Sequence, residues 1–560
     1  MNSIYFLPYS GVQKIDEFND KLKENLLNIT NVVPVYLRKL SDYFPENCMI
    51  CPDLVFIPSI LDSSNPMSYD GIDLAIRWYI HAISLNKTNF RLVILGIEDK
   101  ASFYQHCNYS NLLKCPNVDY IQNSFEYIKK IIDENILKEF DRNEALEKID
   151  LIGIKPPTSY KSHHSISNEW SILRWAKALN IQAEFNNELE KNESNINASL
   201  FYKYLSIKYP MSPIGPLNIK VLKNNGTILL IDDEVEKGWG CIFQRICTNK
   251  NFSFIGVDFK KIKERDEIVE RAFQSAIDAE VIILDLRLHD DDFDERDPKK
   301  LTGYALLKKI KNHNKGIQVI IFSASNKVWN LQELQEVGID GFILKESPEN
   351  SIDQEFTKHL IENIYQTIDN CLAYSFLKKN FEKYNFLKQQ LEPRRNRKEL
   401  PKAFVNEYLK WLEFGISNIL KYKSNEGNIM SFLIFFTVLE NIANRVIDVD
   451  NPINTSVYNE YKYEYRRDNK FLKYYTLVPH SGLYIDSGKD LIAIGKINWT
   501  QKVINTLAEL SCNLTDITSL INKRNDIIHS NSTTGNSINI SEDELKHIFD
   551  IITSDIENIQ

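Results

Sequence analysis

Residues 223–240 read KNNGTILLIDDEVEKGWG, and three later stretches repeat their logic. AEVIILDLRLHDDD spans 279–292, GIQVIIFSASNK spans 316–327 and GIDGFILKESPE spans 338–349. Each carries an apolar run of strand length that stops at polar or small residues. Helical patterns such as ERDEIVERAFQSAIDA and TGYALLKKIKNH lie between them. Short apolar runs alternating with helices predict a parallel sheet covered on both faces. In such sheets the polar groups at the carboxyl ends of the strands form the site.

Those strand ends carry the informative residues. Asp232 and Asp233 follow the first run, Asp285 ends a later one, Ser323 follows the next and Lys345 the last. Three carboxylates converging on one place repel each other, which implies a hard cation such as Mg2+ held by Asp232, Asp233 and Asp285. A lysine and a hydroxyl beside them suit the oxygens of a phosphoryl group. An aspartate can take that group as an acyl phosphate. From the residues alone, an acidic rim on a nucleotide-binding or purely structural sheet is the alternative.

This ordered set resembles the receiver domain of bacterial response regulators over residues 226–348. The resemblance makes Asp232 and Asp233 the metal-binding acid pair and Asp285 the phosphoacceptor. It makes Ser323 and Lys345 the conserved hydroxyl and lysine, and Phe342 the aromatic residue that reports the switch. Two departures stand out. The loop after Asp285, HDDDFDERDPKKLTG, is long and acidic, so the following helix is delayed towards Gly303. Glu346 stands where a proline usually follows the lysine.

The first 130 residues show a similar order of strands and a helix: NSIYFLPYSG, CPDLVFIPSIL, GIDLAIRWYIHAI, FRLVILGIED and NVDYIQNS. The acids are missing. Pro8 and Tyr9 sit near the place of the acid pair, and Ile57 and Pro58 end the strand that would carry the phosphoacceptor. Gly96 takes the hydroxyl position, with Gln122 or Asn123 near the lysine. This reads as a degenerate receiver suited to packing, dimerisation or sensing of something other than phosphate; a different small α/β domain is the alternative.

Residues 136–222 form a connector. EWSILRWAKAL predicts a helix with Ile172, Trp175, Ala176 and Leu179 on one side. His163 and His164 lack cysteine or carboxylate partners at motif spacing, which favours a joining role. KYPMSPIGP is a Pro/Gly linker.

After residue 350 the texture becomes helical, as in SIDQEFTKHLIENIYQTIDNCLAYSFLKK and AFVNEYLKWLEFGISNILKY. Five or more helices predict a bundle. The stretch YNEYKYEYRRDNKFLKYYTLVPHSGLYI interleaves tyrosines with basic residues, which suits single-stranded RNA or an ordinary protein interface. Near the end comes INKRNDIIHS, 521–530. Leu520, Ile521, Ile527 and Ile528 supply its apolar side, and Asn525 and His529 share a face. Ser541 followed by Glu544 predicts a capping box that starts the last helix. A histidine can move a proton at a ribose 2′-hydroxyl, and an arginine can hold the phosphate. A helix end with a structural histidine is the plainer reading.

Residues 425–558 resemble a HEPN domain, a helical family rich in ribonucleases of defence and toxin systems. Its signature is an arginine, four to six residues, then histidine, with a polar residue often directly after the arginine, and RNDIIH fits. The resemblance implies metal-independent RNA cleavage by Arg524, Asn525 and His529. It also implies a positioning role for Glu440 on an earlier helix. Two copies of the site would meet in a homodimer.

Composition bounds the rest. The 560-residue chain suggests several domains, and 26% charged with 11% aromatic residues is a folding composition. A net charge of −9 gives no global attraction to nucleic acid. The most apolar helix pattern, MSFLIFFTVLENIANRVI, is too short in its uncharged part to span a bilayer, and no signal peptide is evident, so a cytoplasmic protein with no membrane partner is expected. Of eight cysteines only Cys48 and Cys51 form a CxxC, too little for a four-ligand zinc site.

The expected architecture is therefore multidomain. A degenerate α/β receiver-like domain covers 1–135, a helical connector 136–222 and a receiver domain 223–350. A long helical connector covers 351–424 and an all-α HEPN-like bundle 425–560. Both α/β domains are expected to be flavodoxin-like, with parallel five-stranded sheets. The expected function is a phosphorylation-responsive signalling protein whose receiver controls an endoribonuclease in defence or stress-induced growth arrest. A histidine kinase or other phosphodonor and single-stranded or structured RNA would be its partners, with Mg2+ at the receiver and no cofactor for RNA cleavage. The alternative is a non-enzymatic signalling adaptor whose bundle binds a protein partner.

Overall fold

A computed structural model describes residues 45, 52–62, 68–134, 139–157, 160–181, 186–209, 221–295, 297–324, 328–347, 354–397, 402–446, 503, 514–529 and 538–554, with the backbone of strands at 3–6, 32–35, 462–467, 470–478, 484–486 and 491–493. The chain forms two compact units. One takes in 1–219 with 236–245 and 345–362; the other takes in 220–235, 246–344 and 363–560.

The first unit holds a parallel sheet of β1 (Ser3–Phe6), β2 (Val32–Val35), β3 (Leu54–Pro58), β4 (Arg91–Gly96) and β5 (Val118–Gln122), in the order β2-β1-β3-β4-β5. Every residue of β3 is buried, as is β4 after Arg91. That explains their unbroken apolar runs, since a strand covered on both faces needs no polar alternation. Helix α1 (Asp70–Ser84) packs Ile72, Trp78, Tyr79 and Ile83 into this core. Helix α2 (Tyr160–Leu179) buries Ile172, Trp175, Ala176 and Leu179, the face read from the sequence. It also buries Trp170, Ser171 and Arg174. Helix α3 (Asn186–Ala198) follows, and α4 (Trp239–Ile246) begins within this unit.

The second unit holds β6 (Thr227–Ile231), β7 (Asn251–Ile255), β8 (Val281–Leu284), β9 (Gln318–Ser323) and β10 (Gly341–Leu344), all parallel, in the order β10-β9-β8-β6-β7. Counted within each sheet, both follow the doubly wound order 2-1-3-4-5. Strands β8 and β9 are buried throughout. Helices α5 (Arg265–Ala276) and α6 (Thr302–His313) pack Ile268, Ala272, Leu306 and Ile310 against them. The delay of α6 to Thr302 matches the long loop after Asp285.

The same unit takes in α7 (Gln354–Ala373) from Asn363 onward, then α8 (Phe376–Asn396), α9 (Lys402–Lys421), α10 (Asn425–Val446), α11 (Leu514–Ile528) and α12 (Glu542–Thr553). Their shared core includes Leu387, Tyr408, Leu412, Phe435, Leu439, Ile521 and Phe549. The apolar stretch around Phe435 is thus a buried helix, and among the described residues no helix is long and apolar enough to cross a membrane. Ser541 and Glu544 form the expected capping box at the start of α12. Helix and sheet are joined within the unit at α7, where Asp369 Oδ1 accepts from the backbone N–H of Lys223 at 2.8 Å and of Asn224 at 3.0 Å.

One expectation is corrected. The C-terminal region is not all-α: β11 (Lys462–Arg467), β12 (Lys470–Val478), β13 (Tyr484–Asp486) and β14 (Leu491–Ala493) form an antiparallel four-stranded sheet. The tyrosines that suggested an interaction surface are also strong strand formers, and KYEY alternates with the period of a strand.

Candidate functional site

Strands β6 and β8 pair with Ile231 opposite Leu284, so they end level and the next residues emerge side by side. Those residues are Asp232 and Asp285, and the Asp285 N–H extends the ladder to the Ile231 carbonyl at 2.9 Å. With Asp233 they form a buried cluster in which one carboxylate oxygen from each lies within 4.8 Å of the others. Asp232 Oδ1 accepts from the Glu234 N–H at 2.8 Å, and Asp285 Oδ1 from the Arg287 N–H at 3.2 Å.

Asp233 is the least satisfied member. Its Oδ1 is buried with no hydrogen-bond partner. Lys260 reaches only to 4.0 Å from its Oδ2 and lies nearer Glu234, at 3.4 Å. Burial, then the charges of Asp232, Glu234 and Asp285, hold the Asp233 carboxyl well above its ordinary range. Three hard oxygen donors, one of them orphaned in a low-dielectric place, fit a divalent cation that prefers oxygen ligands.

Two features of the loop after Asp285 shape this site. Gly303 lies so close that a Cβ there would overlap the Asp285 carbonyl, which explains a glycine one residue into α6. Asp292 is fully buried and organises the acidic stretch. Its Oδ2 accepts from the N–H groups of Leu288 and His289, both at 3.0 Å; its Oδ1 accepts from the Thr302 N–H at 3.2 Å and hydroxyl at 3.0 Å. Arg265 adds a charge contact at 3.5 Å. In the sequence HDDDFDERD is a long acidic loop, and nothing in it marks Asp292 as internal.

Ser323 ends β9 and is buried; it pairs with Leu344, so Lys345 follows directly on the neighbouring strand. Lys345 is also buried, with its ammonium 5.7 Å from the centre of the Trp239 ring. Phe342 is partly buried against the core of the second sheet.

The first sheet has no acid at the corresponding strand ends that the structure describes. Ile57 and Pro58 are buried at the end of β3. The space beside Gly96 is taken by the Tyr120 side chain, whose hydroxyl donates to the Glu98 carbonyl at 3.0 Å. Pro8, Tyr9, Cys48 and Cys51 lie outside the described residues.

In the helical region, Arg524 is on α11 and Glu440 on α10, with Arg524 Nη2 3.5 Å from Glu440 Oε1. Arg524 Nη1 also donates to Asn525 Oδ1 at 3.3 Å. His529 follows the end of α11; its N–H donates to the Asn525 carbonyl at 2.8 Å and its ring is exposed. The fold thus brings Arg524, Asn525 and Glu440 together, with His529 one turn beyond Asn525. Ile528 departs from the expected apolar side and is 47% exposed. It is the last residue of α11, where burial by the bundle gives out.

Compared with known proteins, the chain matches no protein-family model and no curated protein.

Proposed function

We propose that this chain is a phosphorylation-responsive signalling protein whose acceptor is Asp285 and whose output is a HEPN-type, metal-independent endoribonuclease. The observation that carries the first part is the buried carboxylate trio with the orphaned Asp233 oxygen. Asp232, Asp233 and Asp285 would hold Mg2+, which neutralises charge on a phosphoryl group as it is transferred. An Asp285 oxygen bonds to the donor's phosphorus as the bond to the donor's leaving group breaks, giving an acyl phosphate. Ser323 and Lys345, leaving adjacent strands, supply a hydroxyl and an ammonium for the phosphoryl oxygens.

The ribonuclease part rests on the Arg524–Glu440 pair, which gives the arginine a fixed base from which to meet a phosphate. The exposed His529 ring is open to a ribose hydroxyl. The adaptor reading also draws on that pair: an arginine engaged by Glu440 and Asn525 serves equally to brace a protein-binding face. Acetyl phosphate with Mg2+ tests the receiver part. Phosphoryl uptake in the wild type that is lost in D285N is expected; uptake that persists in D285N places the chemistry elsewhere. RNA cleavage by the wild type that is lost in H529A separates nuclease from adaptor.

A further inference from the structure

Glu346 follows Lys345 and has a fully buried side chain, 0% exposed, caged by three donors. Arg174 Nε donates to its Oε1 at 2.6 Å, the Thr357 hydroxyl to the same oxygen at 2.8 Å, and Trp175 Nε1 to its Oε2 at 3.0 Å. Arg174 Nη2 donates in turn to the Thr357 hydroxyl at 3.0 Å. The Ser171 hydroxyl donates to the Glu346 backbone carbonyl. Ser171, Arg174 and Trp175 all belong to α2, so this one helix holds the residue next to Lys345 by both side chain and backbone.

The same helix holds a second segment. Lys237, four residues after Asp233, lies 3.1 Å from Glu169 and donates to Ser165. Asn192 of α3 donates to the Lys237 carbonyl at 2.9 Å. Trp175 packs edge-on against Trp239 with ring centres 5.0 Å apart, and Trp239 is the ring beneath the Lys345 ammonium. Helix α2 therefore grips the segment that continues from the acid pair and the segment that continues from Lys345.

A buried ion pair contributes little net stability over well-packed apolar residues; what it fixes is geometry. Two adjoining residues share one backbone, so a backbone shift at Lys345 is also a shift at Glu346. Coupling requires an element with two discrete arrangements, and the cage of Glu346, kept or broken, would be that element. We propose that Glu346 is a coupling residue, tying the Lys345 segment to α2 so that capture of a phosphoryl group at Asp285 is transmitted into helix 160–179. This rests on the receiver reading above and adds where its signal goes.

The test uses the full chain with acetyl phosphate and Mg2+, reading phosphoryl uptake by intact mass and hydrogen exchange of peptides covering 160–179 in the same samples. The expected result is a several-fold change in exchange across this helix on uptake in the wild type, absent in D285N and strongly reduced in E346Q at equal uptake. T357V keeps the Arg174 ion pair while removing one donor, so its response should be intermediate; it is the deciding arm if E346Q does not fold. Uptake without any change in 160–179, or a full response in E346Q or T357V, overturns the coupling and leaves the receiver reading standing. No uptake in the wild type overturns both.

Discussion

Lys423 Nζ lies 2.7 Å from Asp340 Oδ1, while Lys311 Nζ lies 2.5 Å from Asp340 Oδ2. Asp340 precedes β10, and Lys423 sits between α9 and α10. One buried carboxylate thus keys the helical region to the base of the second sheet. Lys423 also donates to Gln318 Oε1 at 2.5 Å, and Asp340 accepts from the Val319 N–H at 2.7 Å. Burial alone would raise the Asp340 carboxyl; the two ammonium groups outweigh it and hold the group below its ordinary value of 3.8.

Replacing Asp340 should therefore be severe. D340N leaves two ammonium groups facing a neutral amide and is expected to cost about 3–5 kcal/mol. K423M should cost less, because Lys423 is 19% exposed and Lys311 remains. Urea denaturation followed by fluorescence checks the order. The sign with pH follows from the depressed carboxyl: its contribution is present above the ordinary value of 3.8 and is lost as pH falls below it through the folded-state value. The wild type should lose stability in that acid range, and D340N should lose less; equal acid sensitivity would remove Asp340 from the explanation.

Asp233 carries the opposite sign. Its carboxyl is held above the ordinary 3.8 by burial and by neighbouring acids, so it disfavours the folded state increasingly as pH rises from that value through the raised folded-state value. A divalent cation held there as proposed would compete with protons for the site, so Mg2+ affinity should increase with pH over the same interval. Thermal melts with and without MgCl2 at several pH values should show a widening gap. D233N should narrow that gap and raise stability in metal-free buffer, because one repelling charge is gone. A gap that does not depend on pH would argue against Asp233 as a ligand.

Asp292 predicts a stability cost in the loop that follows Asp285. Four hydrogen bonds end on its carboxylate, and all are buried or partly buried. D292A should cost roughly 2–3 kcal/mol, the scale for leaving buried donors unpaired. T302V removes one hydroxyl donor and should cost about 1 kcal/mol. Proteolysis at the loop 286–301 should accelerate in D292A, and an unchanged cleavage rate would show the loop to be held by other contacts.

Both parallel sheets were legible because runs such as TILLI, VIIL and VIIFS are of strand length, end at polar residues and alternate with helical patterns, as strands buried on both faces do. The acids were legible because Asp232 and Asp285 stand directly after runs that end level. Asp292 and Glu346 were not: the loop closes on Asp292 from Leu288 to Thr302 without any marker in the sequence, and Glu346 meets Arg174 from a distant helix. Arg174 did carry a signal, being a charge between Leu173 and Trp175 in the apolar middle of EWSILRWAKAL. The antiparallel sheet of β11–β14 was not legible, because tyrosines interleaved with basic residues suit a binding surface and a strand alike.

The Arg524–Glu440 contact separates the two readings of the helical region. Both side chains are partly exposed, 21% and 25%, so the pair should contribute no more than about 1 kcal/mol to stability. E440Q should thus leave the melting temperature nearly unchanged. If Glu440 positions Arg524 for phosphate, E440Q should still slow RNA cleavage, while H529A should slow it by about 10²–10⁴, the usual scale for losing a proton-transfer group. R524K keeps the charge but lacks the planar fork that can hold Glu440 and a phosphate together, and should not restore activity. The measurement is cleavage of a labelled single-stranded RNA by each purified variant in the presence of a chelator, since the proposed chemistry needs no metal. Wild-type cleavage that H529A leaves intact would sink the site. No cleavage by any variant, with a partner protein captured by the wild type and lost in E440Q, would favour the adaptor.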